Sequence, residues 1–120
     1  MTIASAQAQK FYEQVAREDS VFTFTHDGDF LVFPIRDIEV VPFWSSLSRM
    51  NKIRATHQKY ASYSITRSTL DEFLTETLPM LQKEDLHVGV NWSGPRLVGY
   101  DISVADLKRN VEHALRAIRK

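Results

Sequence analysis

Apolar positions at helical spacing open the chain. In "ASAQAQKFYEQVARE", residues 4–18, Ala8, Phe11, Tyr12, Val15 and Ala16 recur every three or four residues, which predicts an amphipathic helix. The period then drops to two. "SVFTFTH", residues 20–26, sets Phe22 and Phe24 against Val21, Thr23 and Thr25, the pattern of a half-buried strand. Asp27-Gly28-Asp29 supplies a turn, with Gly28 free to adopt positive φ, and "FLVFPIR" follows as the second strand of a hairpin. Pro34 has no N–H to give to a ladder, so it belongs at a sheet edge or a strand end. "EVVPFW", residues 39–44, is a third apolar segment.

Ser45 or Ser46 caps a helix running to about His57, with a narrow apolar stripe of Leu47, Met50 and Ile53. "YASYSIT", residues 60–66, alternates again and reads as a strand. Thr69 and Glu72 form a capping box. The helix behind it should bury Leu70, Phe73, Leu74, Thr77, Leu78 and Leu81. Pro79 removes a helical hydrogen bond and crowds the preceding turn, so a kink is expected, or a break near Thr77. "LHVGVNW" and "RLVGYDI" are strands on either side of Ser93-Gly94-Pro95. Ser103 and Asp106 cap a last helix that buries Val104, Leu107, Val111, Leu115 and Ile118. The order is α-β-β-β-α-β-α-β-β-α. This predicts an α+β fold in which a largely antiparallel sheet carries helices packed on one face.

Length changes little in this picture: 120 residues fit a single domain over 1–120. Cysteine is absent, which excludes disulfides, thiolate metal sites and cysteine nucleophiles. The N-terminal stretch lacks the basic and apolar regions of a signal peptide, and no apolar run approaches a membrane span. A cytoplasmic location is expected.

The net charge is zero but unevenly spread. Residues 1–48 hold three basic and seven acidic groups. Residues 49–67 hold Arg49, Lys52, Arg54, Lys59 and Arg67 and no acid. With Tyr60 and Tyr63 nearby, that basic block has the ingredients of a single-strand nucleic-acid surface. The neutral whole chain weighs against this reading, because nucleic-acid domains are usually strongly basic.

Sequence-local catalytic patterns are missing. Glycines 28, 89, 94 and 99 form no phosphate loop, and histidines 26, 57, 87 and 113 show no metal-ligand spacing. No metal or cofactor is expected. An enzyme would need a pocket assembled by the fold, with His57 or His87 beside a carboxylate. The sharper signal is "NWSGPR". Trp92, Arg96 and Tyr100 lie on or beside one turn, and these residue types are enriched at binding hot spots. They are the candidate binding residues if Trp92 is exposed; otherwise Trp92 packs into the core and Arg96 covers it. The leading expectation is a binding or protein-interaction module whose partner is another protein or a second copy. No membrane partner is expected, and nucleic acid through 49–67 stays an alternative.

Several stretches together, "FYEQV", "VVPFW", "LDEFLTETLPMLQKEDLHVGV" and the last helix, resemble a family of small bacterial proteins known as domain-of-unknown-function family 2750. The shared pattern runs through Pro42-Phe43-Trp44, Leu78-Pro79-Met80-Leu81 and Val88-Gly89-Val90. This chain departs from it at Ser45-Ser46, where relatives tend to have Pro-His, and at Thr77, where they often carry tryptophan. The resemblance implies a shared fold. It implies no activity, and no functional residue is carried over.

Overall fold

A computed structural model describes residues 2–119. The first helix, α1 (Ile3–Glu18), buries Ala8, Phe11, Tyr12 and Val15. Strand β1 (Val21–His26) turns through Asp27 and Gly28, both at positive φ, into the two-residue β2 (Asp29–Phe30). Two left-handed residues in a two-residue loop give the turn whose twist matches paired antiparallel strands.

The single strand expected over "FLVFPIR" is instead two. The chain leaves β1 after Phe30, and β3 (Phe33–Ile35) joins a different sheet by pairing with β4 (Ile38–Phe43). Pro34 sits in β3, an edge strand, as its missing donor requires.

The structure is an α+β fold with two sheets. One has the order β2-β1-β5, with β5 at Ser64–Ser68; the other is β3-β4-β6-β7, with β6 at Leu86–Ser93 and β7 at Val98–Ile102. All pairings are antiparallel except β4 with β6. Phe22 and Trp44 exchange backbone hydrogen bonds of 2.9 and 2.8 Å and join the sheets. The strand expected over 60–66 starts later: Gln58–Tyr60 is a 3-10 turn that buries Tyr60, and β5 begins at Ser64.

Ser46 caps α2 (Leu47–Thr56) through its hydroxyl, which accepts from the Arg49 amide. The capping box at Thr69 and Glu72 is fully formed and opens α3 (Leu70–Glu72). The helix does not break near Thr77. It widens to a π-type turn over Phe73–Thr77 and continues as α4 (Leu78–Lys83). Ser103 caps α5 (Val104–Ile118) by accepting from the Asp106 amide.

The core has two parts. Helices α1, α3, α4 and α5 pack with Val41, Phe43, Val88 and Val90 in the larger one. Helix α2 lies apart from them, in a second cluster of Phe24, Val40, Trp44, Met50, Ile53, Tyr60, Trp92 and Leu97. Strand β4 therefore feeds one core with Val40 and the other with Val41 and Phe43, which explains its unbroken apolar run. Strand β1, expected to be half-buried, is covered on both faces: Val21, Thr23, Phe24 and Thr25 are all buried. Its buried hydroxyls are satisfied, Thr23 donating to the Pro42 carbonyl (2.8 Å) and Thr25 pairing with Thr66 (2.8 Å).

Candidate functional site

The "NWSGPR" turn is built around a buried tryptophan. Between Val90 and Ser93 the β6–β7 register shifts by a bulge, and Asn91 there adopts φ 50°. Asparagine tolerates the left-handed region better than most residues. The bulge changes which face the next side chain takes. Residues 89 and 92, three apart, would otherwise point to opposite faces; here they share one.

The Trp92 indole lies over two glycines. A Cβ at Gly89 would meet its ring at 2.5 Å, and one at Gly99 would meet it at 2.7 Å. Its Nε1 donates to the Tyr100 carbonyl (2.9 Å), and its own carbonyl accepts from Trp44 Nε1 (2.8 Å). Phe33 meets the ring edge-on.

Exposure of Trp92 was the condition for treating it as a contact residue, and the fold does not meet it: the residue is 3% exposed. The bulge and the two glycines make burial possible. Arg96 and Tyr100 are exposed, Tyr100 at 46%. The three candidates are therefore not one surface. Arg96 and Tyr100 flank the hairpin outside, while Trp92 fills it.

Asn91 also anchors a buried polar junction. Its Oδ1 accepts from the Ser45 amide (2.9 Å), and its Nδ2 donates to the Ser45 hydroxyl oxygen (3.0 Å) and the Gln7 carbonyl (3.3 Å). The Ser45 hydroxyl in turn donates to Gln14 Oε1 (2.6 Å). Both Ser45 and Asn91 are buried, and together they tie β4, β6 and α1 into one corner.

Above that corner runs a cleft of about 1060 Å³ between α1 and α2. The hairpin turn forms its third wall: Ser93, Gly94, Pro95 and part of Trp92 line it. The His57 ring at the end of α2 meets the Gly94 carbonyl (3.1 Å) and ties helix to turn.

The cleft gathers four cations, Lys10, Arg17, Arg49 and Lys52, with two carboxylates, Glu13 and Glu18. Arg49 is half-buried and donates from Nη1 to Gln7 Oε1 (2.6 Å). Burial pulls its pKa below the ordinary arginine value. Among the described residues the ion pairs are His26–Asp27 (3.5 Å) and Arg109–Asp106 (3.0 Å), so Arg49 has a neutral amide and no carboxylate as partner.

The fold disperses the basic block 49–67. Arg49 and Lys52 line the cleft, but Arg54 donates to the Tyr63 carbonyl and Arg67 bonds Ser20 Oγ and the Asp19 carbonyl. The enzyme alternative finds no dyad either. His57 meets a carbonyl, and neither it nor His87 lies within ion-pair distance of a carboxylate among the described residues. No group of three or more metal-ligating side chains forms among those residues. None of their helices is long and apolar enough to cross a membrane.

Arg49 had been grouped by sequence with four other cations. Helical phase separates them, since positions 49, 52, 53 and 56 share one side of α2 and position 54 falls off it. Ser45 and Asn91 carried no local signal, because they meet across 46 residues of chain.

Comparison with known proteins adds one finding. The model of the family described as "Protein of unknown function (DUF2750)" matches residues 8–111, and the chain belongs to that family. No curated protein matches it.

Proposed function

We propose that this member of the DUF2750 family is a binding module whose recognition site is the cleft between α1 and α2, walled by the β6–β7 turn. The observation that carries the reading is the coincidence, in one concavity, of the cleft, the hairpin turn and a half-buried arginine without a carboxylate partner among the described residues. Ligand sites are typically concave, preformed and provided with a few convergent polar groups. The Ser45–Asn91 junction makes the floor rigid. The proposal places the module in the cytoplasm, as its sequence features suggest, and in a bacterium, as the family resemblance implies.

A thermal-shift screen of small metabolite-like compounds tests it. At a concentration near 100 times Kd, a ligand should add about 2.7 kcal/mol of stability. Thr56→Trp fills the cleft from an exposed position of α2, whereas Ala117→Trp fills a neighbouring groove between α1 and α5 that shares Glu13 and Arg17 with it. Stabilisation should vanish in the first variant and persist in the second. Compounds that stabilise all three proteins equally, or a screen without hits, would count against the cleft.

A second reading concerns association between copies. Strand β7 is the open end of its sheet, and it exposes Val98 (61%) and Tyr100 (46%) next to Arg96. The opposite end is occupied by proline-bearing β3. Antiparallel pairing of two β7 strands about Tyr100 would set Gly99 against Asp101 of the other copy, with no like charges opposed. Sedimentation at several concentrations tests this: a dimer abolished by Tyr100→Lys is expected, and a monomer throughout would remove the reading.

A further inference from the structure

Resting on the cleft reading above, we propose that the cleft's ligand is a small molecule carrying at least two negative charges, of the diphosphate or phosphate-ester kind. Arg49 is its central anchor, and Lys52 stands one turn further along α2.

Arg49 carries the argument. A guanidinium offers five N–H donors in a planar fork. Gln7 Oε1 takes one at 2.6 Å, and among the described residues no carboxylate lies within ion-pair distance. Withdrawing a cation from water without a counter-charge is costly, and one neutral amide offsets only part of that cost. The same partial burial pulls its pKa below the ordinary arginine value. An anion placed against the fork would restore the balance, and phosphate oxygens match its paired donors.

The rest of the cleft sets the charge of the ligand. Lys10 and Arg17 come from α1 and Lys52 from α2; against them stand Glu13 and Glu18 on the α1 wall. Four cations and two carboxylates leave an excess of two positive charges, in a chain whose net charge is zero. Glu13 already accepts from Gln9 Nε2 (3.2 Å). An excess of cations along a concave wall raises the local concentration of anions. At about 1060 Å³ the cleft has room for a molecule larger than a single phosphate.

Isothermal titration with pyrophosphate, and separately with ribose as a neutral probe, tests this on the intact chain. Pyrophosphate should bind, more weakly as salt is raised. Arg49→Gln should lower its affinity about tenfold or more, Lys52→Gln less, and Arg49→Lys should fall between wild type and Arg49→Gln. Ribose should give no heat. No binding up to about 10 mM pyrophosphate, or binding unchanged in both Arg49→Gln and Lys52→Gln, would overturn the inference. Neutral compounds that lose their effect in Thr56→Trp would also overturn it, yet would leave the cleft itself as the binding site.

Discussion

Trp92 shows how much one residue's role depends on its neighbours. Its type and its place beside a turn suggested a contact residue, but Gly89, Gly99 and the bulge at Asn91 decide otherwise. Each glycine lies flat beneath a rigid indole, so a methyl group at either position must displace a buried ring. Gly89→Ala should destabilise the protein by about 1–3 kcal/mol, with Gly99→Ala in the same direction. Trp92→Ala leaves a cavity and removes the indole's hydrogen bond to the Tyr100 carbonyl, and should cost about 3–5 kcal/mol. Urea denaturation measures all three; a Trp92→Ala midpoint near that of wild type would show that the ring does not serve as core. The glycines were visible in the sequence as isolated, non-motif positions. Their purpose was not, because it lies in a ring brought back from three residues away on one strand and across to the other.

At the scale of elements, alternation and capping gave away most of the fold, and the errors fall where an element changes partners or pitch. The π-type turn is the clearest case. Leu78 N–H bonds to the Phe73 carbonyl five residues back, so the helix takes in one extra residue just before Pro79, which has no donor for the next turn. The buried stripe therefore runs Leu70, Phe73, Leu78, Leu81, and Leu74 and Thr77 fall to its edge. Regular α spacing placed Leu74 fully inside. Leu78→Ala should now cost about 2–5 kcal/mol and Leu74→Ala clearly less, as thermal denaturation can rank; the reverse order would mean that the helix keeps α pitch throughout. The capping box just before it makes a prediction about pH. The Thr69 amide, donating to Glu72 Oε1 at 2.8 Å, is the main cause holding the Glu72 carboxyl below its ordinary 4.5. A depressed folded-state pKa means that the cap's contribution is complete above the unfolded value. It is lost as pH falls through the folded one. An NMR titration of the Glu72 carboxyl should give a midpoint below 4.5, and one at or above that value would mean that the box is open in solution.

For the whole molecule, the partition into two sheets was hidden because the switch occurs within one apolar run, between Phe30 and Phe33, where hydrophobicity alone does not distinguish a continuing strand from two. The cleft was hidden for a related reason. Its walls come from α1, α2 and the β6–β7 turn, and only tertiary packing brings Gln7, Arg49 and Gly94 together. What sequence did offer was the charge imbalance of 49–67, of which the fold admits two members to the cleft and sends Arg54 and Arg67 elsewhere. The net-neutral chain thus presents a locally positive concavity beside a strand edge that exposes Val98 and Tyr100. Mapping backbone amide shifts during a pyrophosphate titration locates binding directly. Perturbed amides are expected to cluster over Ser46–Lys52, Gln7–Gln14 and Ser93–Gly94, and to lose their response in Arg49→Gln. Shifts centred instead on the basic end of α5 around Arg116, or scattered over every basic surface and untouched by Arg49→Gln, would contradict a binding site in the cleft.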